Sequence, residues 1–231
     1  VTTVERRAVE NAAYDAGART VATMLEPMAA AIGSGLQVAS RQGSMIVDIG
    51  GGTTEVAIIS CGGIVASSSL RIAGDEFDNA IVKYIKAEYG VLIADVTAEQ
   101  IKRQIGSVHP SVDLGKAEVV GRDMSNGLVA KIQVSSADVR AALAEQINQI
   151  VAAIMGTLGD APPELSSDIY NYGIMLSGGG SLLGGLDLVI HERTTVRVTR
   201  SKRPLDAVCI GVGRALDNEY TMKEIINYRY K

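Results

Sequence analysis

Two glycine-rich loops, each entered from a short apolar run, constrain this chain more than any other feature. Met45-Ile46-Val47 leads into Asp48-Ile49-Gly50-Gly51-Gly52-Thr53-Thr54, and Ile174-Met175-Leu176 leads into Ser177-Gly178-Gly179-Gly180-Ser181-Leu182. Glycine lets the backbone approach a ligand closely, so that successive N–H groups converge on an anion. One such loop says little. Two, both in a strand-to-turn context, point to a nucleotide in a cleft, with phosphates at one loop and the nucleoside at the other. Neither loop fits G-x-x-x-x-G-K-[ST], and G-x-G-x-x-G has no well-placed match, which sets aside those two nucleotide folds.

The bulk properties narrow the class further. With 231 residues, 47% hydrophobic and 21% charged, the chain can bury a sizeable core in one or two domains. A net charge of −4 and no long basic run give no support for nucleic-acid binding. No apolar stretch reaches the roughly 20 residues that cross a bilayer, and no signal-peptide pattern is present. Cys61 and Cys209 match no metal or redox spacing and are expected to be buried thiols of a cytosolic protein. The sequence opens at Val1 almost directly in a helical pattern without Met, and reads as starting part-way through a larger protein.

The pattern along the chain is α/β throughout. Glu5–Ala16 is helix-favouring and ends at Gly17; Thr20–Leu25 is strand-like; Glu26-Pro27 opens a small-residue helix, Met28–Ile32. Strands are predicted over Met45–Ile49, Thr54–Ser60 and Ile64–Ile72, with Cys61-Gly62-Gly63 as the hairpin turn. Phe77, Ile81, Tyr84 and Ile85 share a helix face, and Thr97-x-x-Gln100 reads as a capping box that starts the next helix. Residues 112–134 are strand-like around a Ser125-Asn126-Gly127 turn. Val139, Leu143, Ile147, Ile150, Ile154 and Leu158 predict a long helix stopped by Pro162-Pro163. A strand over Gly173–Leu176, a helix over Leu182–Glu192, a strand over Val196–Thr199 and a helix over Val208–Leu216 follow, with a docked helix expected in the tail from Tyr220 to Lys231.

Around the loops, several side chains invite a role. A carboxylate at Asp48 beside a phosphate cradle would repel its ligand unless a cation intervened, which implies Mg²⁺ held through water. Thr53 and Thr54 offer hydroxyls for phosphate oxygens or for a water. A glycine-rich turn with an Asx contact at the first loop, or a tight ligand-free strand–helix turn at the second, accounts for the same residues without a nucleotide. Glu26 suits a helix N-terminus through the macrodipole alone. Glu99 and Lys102 lie one turn apart, which predicts a solvent-side ion pair. His109-Pro110 reads as a turn and His191 as a helix end, with no catalytic role for either.

These residues together resemble the MreB family, the bacterial actin homologues within the actin, sugar-kinase and heat-shock-chaperone ATPase superfamily. The resemblance spans nearly the whole chain. It rests on Val4-Glu5-Arg6-Arg7-Ala8-Val9, on Glu26-Pro27-Met28-Ala29-Ala30-Ala31-Ile32-Gly33, on Gly43 through Val56, on Pro162-Pro163-Glu164-Leu165, and on Ala207 through Leu216. It implies an actin-like ATPase (ribonuclease H-like) α/β fold with a complete second lobe and the end of the first. The implied domains are residues 1–42 as the last helix–strand–helix of the first lobe, 43–75 and 139–216 as the second-lobe core, 76–138 as an inserted smaller subdomain, and 217–231 as a C-terminal helix and tail.

The resemblance also implies roles. Asp48, Gly50, Gly51, Gly52, Thr53 and Thr54 match the family's second phosphate loop. Gly178, Gly179, Gly180, Ser181 and Leu182 match its adenosine loop, and Glu99, Gln100, Ile101 and Lys102 the helix that contacts ribose and adenine. Glu26 matches the glutamate that activates the attacking water, and Thr53 the threonine that helps place it. ATP and Mg²⁺ are then the cofactors, and hydrolysis is coupled to polymerisation. The partners are further copies in a head-to-tail filament, in paired protofilaments, together with cell-wall synthesis and morphogenesis proteins. The setting is cytoplasmic, with filaments at the membrane. The family's first phosphate loop, an Asp-x-Gly-Thr hairpin, has no counterpart in these residues, so a non-catalytic nucleotide-binding or interaction domain, or a chaperone- or kinase-type ATPase, is the alternative. Loss of most of the first lobe is expected to expose the apolar faces of the Glu5–Ala16 and Met28–Ile32 helices. Arg200, Lys202 and Arg203 make the segment before Pro204 more basic than the family leads one to expect.

Overall fold

The computed structural model describes residues 2–217 and 227–229. Helix α1 (Thr3–Asp15) starts with a capping box, in which the Thr2 hydroxyl accepts from Glu5 N and the Glu5 carboxylate accepts from Thr2 N at 2.7 Å. Strand β1 (Val21–Thr23) leads into α2 (Glu26–Ser34), with Pro27 in its first turn and left-handed Gly35 at its end. Strands β2 (Ser44–Ile49), β3 (Thr54–Ser60) and β4 (Gly63–Leu70) form the expected antiparallel meander. Its turn is the two residues Cys61 and Gly62, at φ 50° and 76°, as a type I′ hairpin requires.

The chain then makes α3 (Gly74–Tyr89), β5 (Val91–Leu92), α4 (Asp95–Ile105), β6 (Lys116–Asp123) and β7 (Val129–Ser135). The 24-residue helix α5 (Ser136–Gly159) carries the periodicity read in the sequence. It is followed by α6 (Pro163–Tyr172), β8 (Ile174–Ser177), a 3₁₀ turn at Gly179–Leu182, α7 (Leu186–Thr194), β9 (Val198–Arg200), α8 (Ala207–Asp217) and β10 (Asn227–Arg229).

A five-stranded mixed sheet in the order β4-β3-β2-β8-β9 organises these elements, with β2, β8 and β9 mutually parallel. Strand β2 is central and buried at all six positions. Its side chains alternate between faces. Met45, Val47 and Ile49 point into the larger core with Leu143, Ile150 and Ile154 of α5, while Ile46 joins Met28, Ala31 and Ile32 of α2. A separate antiparallel sheet, β5-β6-β7, packs against α3, α4 and α5, and its Val119 and Val134 belong to the larger core.

Helix α2 is fixed by an unusually close partner. A Cβ on Gly33 would lie 1.7 Å from Ala207 O, and one on Gly211 would lie 1.8 Å from Ala29 O, so α2 and α8 meet backbone to backbone. Arg214 completes the contact by donating from Nη1 to Ile32 O at 2.7 Å. The apolar face of Met28–Ile32 is therefore covered by α8 and the sheet, contrary to the expectation that it would be exposed. On α1, Val4 and Val9 are exposed, as expected for that helix.

Other expectations change for local reasons. Thr97 does not cap α4: the helix starts at Asp95 behind Ala94, and Thr97 N already donates to Ala94 O. Pro162-Pro163 not only follows the end of α5 but begins α6, because proline at the first helical position loses no hydrogen bond. The helix expected from Leu182 is split at Gly185, whose φ of 77° breaks the chain between the 3₁₀ turn and α7. Both cysteines are exposed: Cys61 occupies the hairpin turn and Cys209 the outer side of α8. In the tail, Asn227–Arg229 is a strand paired with β1 instead of a helix; the rest of that expected helix lies outside the described residues.

Candidate nucleotide site

Strands β2 and β8 are adjacent, parallel and in register, Asp48 opposite Ser177, so both glycine loops leave the sheet at the same end. Ligands of open α/β sheets sit outside the carboxyl ends of such strands. The pairing extends sideways, Asp48 opposite Glu55 and Glu55 opposite Ser69, giving a polar row Ser69–Glu55–Asp48–Ser177 across four strands. Side-chain alternation puts this row on the α2 face, where Glu26 is the first residue of the helix.

Asp48 is the centre of the row. It is 4% exposed, and its Oδ1 has no hydrogen-bond partner. Burial pushes its carboxyl up to about 6, and the charges of Glu26 and Glu55 push the same way, against the hydrogen bond from Ser177. A buried carboxylate with an orphaned oxygen and two acidic neighbours suits a divalent cation or its bound water, so the donor set fits Mg²⁺.

The first loop has its own support. Gly50 N donates to Thr53 O at 2.9 Å, while Gly74 N and Asp75 N, at the start of α3, donate to Gly50 O and Gly51 O at 3.1 and 2.8 Å. Among the described residues, the N–H groups of Gly51 and Gly52 donate to no protein acceptor. Neither glycine has a left-handed φ, and a Cβ on either would meet nothing nearer than Asp75, at 3.9 and 4.0 Å. Nothing within the protein requires glycine at 51 and 52. Room for a group outside the chain is the remaining physical reason, and their free donors are suited to an anion.

The second loop differs. A Cβ on Gly178 would fall 2.2 Å from Ile49 O, and one on Gly180 2.2 Å from Ile49 Cγ2. Packing against the end of β2 therefore demands both glycines whether or not a ligand is present. Gly179 lies against Leu205, and Leu182 is 49% exposed. Ser181 is fully buried, its hydroxyl donating to Gly178 O at 2.6 Å.

The remaining candidates divide in the same way. Thr53 is half-buried at the loop. Thr54 is fully buried and donates to Ile72 O at 2.6 Å, so its side chain ties β3 to the segment before α3. On α4, Glu99 and Gln100 are exposed, and Ile101 is a core residue. The ion pair expected between Glu99 and Lys102 is replaced by two others. Lys102 Nζ reaches Asp78 Oδ2 at 2.7 Å and Gly74 O at 2.8 Å, whereas Glu99 lies 3.7 Å from Arg103. Lys102 thus braces Gly74, which in turn holds the first loop. The end of α4 meets the second loop through Gly184 N donating to Gly106 O at 2.9 Å. Sequence reasoning missed Gly74, Asp75 and Glu55 as parts of the site, and placed Ser177 in the second loop without its hydrogen bond to Asp48. Only Ser177, at the strand end before the glycines, gave a local signal.

Comparison with known proteins places this geometry. The family model described as MreB/Mbl protein matches residues 1–224. The chain is 49% identical over 216 residues to the cell shape-determining protein MreB of Escherichia coli K12, covering 94% of this chain and 62% of that protein. It is 45% identical to the cell shape-determining protein Mbl of Bacillus subtilis, covering 94% of this chain and 66% of that one. It thus spans less than two thirds of the length of these relatives. Among solved structures, MreB5 of Spiroplasma citri bound to ADP superimposes with a TM-score of 0.92 at 35% identity, covering 97% of this chain and 68% of that one. The same protein bound to AMPPNP gives 0.92 at 36%. A MamK double helical filament, at TM-score 0.69 and 24% identity, shares the fold. With its meander, its paired glycine loops and the helix that begins at Glu26, this chain belongs to the MreB/Mbl family.

Proposed function

We propose that this chain is the nucleotide-holding lobe of an ATP-binding, actin-like cytoskeletal protein that forms filaments and organises cell-wall synthesis and rod shape. The observation that carries the reading is the first loop, where two free N–H donors and two sterically unexplained glycines lie beside the orphaned carboxylate of Asp48. The ADP- and AMPPNP-bound states of the MreB5 neighbour support a nucleotide as the ligand. Gly51 and Gly52 would hold phosphate oxygens, and Asp48 would hold Mg²⁺ through water. When bound, Mg²⁺ supplies charge neutralisation at the phosphates.

Glu26 projects from the helix start that faces Asp48, where it would orient the attacking water and take its proton, with Thr53 helping to place that water. A positioned base of this kind contributes roughly 10²–10⁴ in rate, and the rest depends on in-line orientation. Self-association would be head to tail, a contact that propagates instead of closing, in filaments on the cytoplasmic side of the membrane. Wall-synthesis and morphogenesis proteins would be its partners.

Titration calorimetry of this chain with Mg-ATP tests the reading: saturable heat is expected, weakened by Gly51→Val. Absence of heat at millimolar nucleotide would leave an interaction module instead. For the parent protein, Glu26→Ala should keep nucleotide binding and abolish most phosphate release. Unchanged hydrolysis removes Glu26 from the mechanism.

A further inference from the structure

The segment 193–203 carries five cations, Arg193, Arg197, Arg200, Lys202 and Arg203, and no acid, in a chain whose net charge is −4. All five are exposed. Arg203 pairs with Asp206 at 2.9 Å, and Arg193 reaches Asn148. Arg197, Arg200 and Lys202 have no acidic partner among the described residues.

Strand β9 lies inside this segment and is the edge of the main sheet. Its hydrogen bonding to β8 uses alternate residues, since Ile174 N donates to Arg197 O and Ser201 N donates to Leu176 O. In a parallel ladder of that phase, the N–H and C=O groups of Val198 and Arg200 point away from β8. The edge therefore offers outward backbone groups at two positions, flanked by unpaired positive charge.

Cations on an edge strand commonly guard against strand pairing. That protection is selective in sign. Pairing β9 with a second β9 would set Arg197 and Arg200 against each other or against their own copies, a like-charge repulsion that disfavours this self-contact. The same charges attract an acidic strand. We propose that β9 docks an extended acidic segment of another protein, which adds to the main sheet as a sixth strand. Main-chain bonds to Val198 and Arg200 would supply affinity, and Arg197, Arg200 and Lys202 would supply sign and on-rate. An anionic membrane or a nucleic acid would use the charges but make no use of the outward amide of Val198.

Fluorescence anisotropy with a labelled, blocked heptapeptide alternating Glu and Thr tests this, using the whole chain. Saturable binding that weakens with salt is expected. Val198→Pro deletes the outward N–H together with a side chain packed on the core, and should weaken binding about tenfold, the scale of one hydrogen bond. Val198→Ala keeps that donor and should stay within about threefold. Arg200→Glu with Lys202→Glu should abolish binding, and it keeps the test decisive should the proline variant fail to fold. Equal affinity of wild type and a folded Val198→Pro variant overturns strand addition. No saturable peptide binding, or binding only of phosphatidylglycerol vesicles or duplex DNA, overturns the proposal. None of these outcomes bears on the nucleotide site, which calorimetry with Mg-ATP reads separately.

Discussion

Asp48 should make the ligand-free protein less stable than its isosteric amide, and only above a definite pH. Its carboxyl ordinarily titrates at 3.8 and in the fold at about 6. At the acidic end it is neutral in both folded and unfolded chains and costs nothing. Between these two values the unfolded carboxyl ionises first, so rising pH favours unfolding. Above about 6 both are ionised and the full penalty stands, about 3 kcal/mol from the two values. Asp48→Asn removes the charge and keeps the shape. Urea unfolding without nucleotide should therefore show the variant more stable by up to about 3 kcal/mol near pH 8, and by only about 0.6 kcal/mol near pH 4. Saturating Mg-ATP should reverse the order near pH 8, because only the carboxylate gains from the cation. An equal effect at both pH values, or a less stable amide without ligand near pH 8, refutes the account of Asp48 as a buried charge held for a cation.

The glycines give two contrasting expectations. Gly51→Ala brings its Cβ no nearer than 3.9 Å to any atom and should leave stability within about 0.5 kcal/mol while weakening Mg-ATP binding, whereas Gly180→Ala forces its Cβ onto Ile49 and should cost about 1–3 kcal/mol in urea unfolding with or without ligand. Gly211→Ala, aimed at the backbone of Ala29, should destabilise by at least a similar amount, measured as a lowered thermal midpoint. Lys102→Met strips Asp78 of its ammonium partner and Gly74 O of a donor. We expect a loss of about 2 kcal/mol in urea unfolding and weaker nucleotide binding through a loosened first loop.

Much of this was legible in the sequence because periodicity and turn chemistry are local. The meander from Ser44 to Leu70, the length of α5 and the helix opened by Glu26-Pro27 followed from alternation, 3.6-residue spacing and proline placement. Asp48 and the two loops were also visible, since the residues that carry them are contiguous. Boundaries set by competing hydrogen bonds were not: α4 begins two residues before the Thr97 pattern, and Gly185 splits what reads as one helix.

What the sequence determined alone was which segments are strand, helix and turn, and that two glycine loops end buried strands. The tertiary structure decided what each glycine is for. Gly178 and Gly180 have the same local pattern as Gly51 and Gly52, yet a Cβ on the former would collide with Ile49, while one on the latter would make only an ordinary contact with Asp75. It also decided that Glu55, Asp48 and Ser177 form one row, and that Lys102 serves Asp78 and Gly74 instead of Glu99. Register between strands and the approach of distant backbones depend on residues far apart in the chain, and no local pattern encodes those distances.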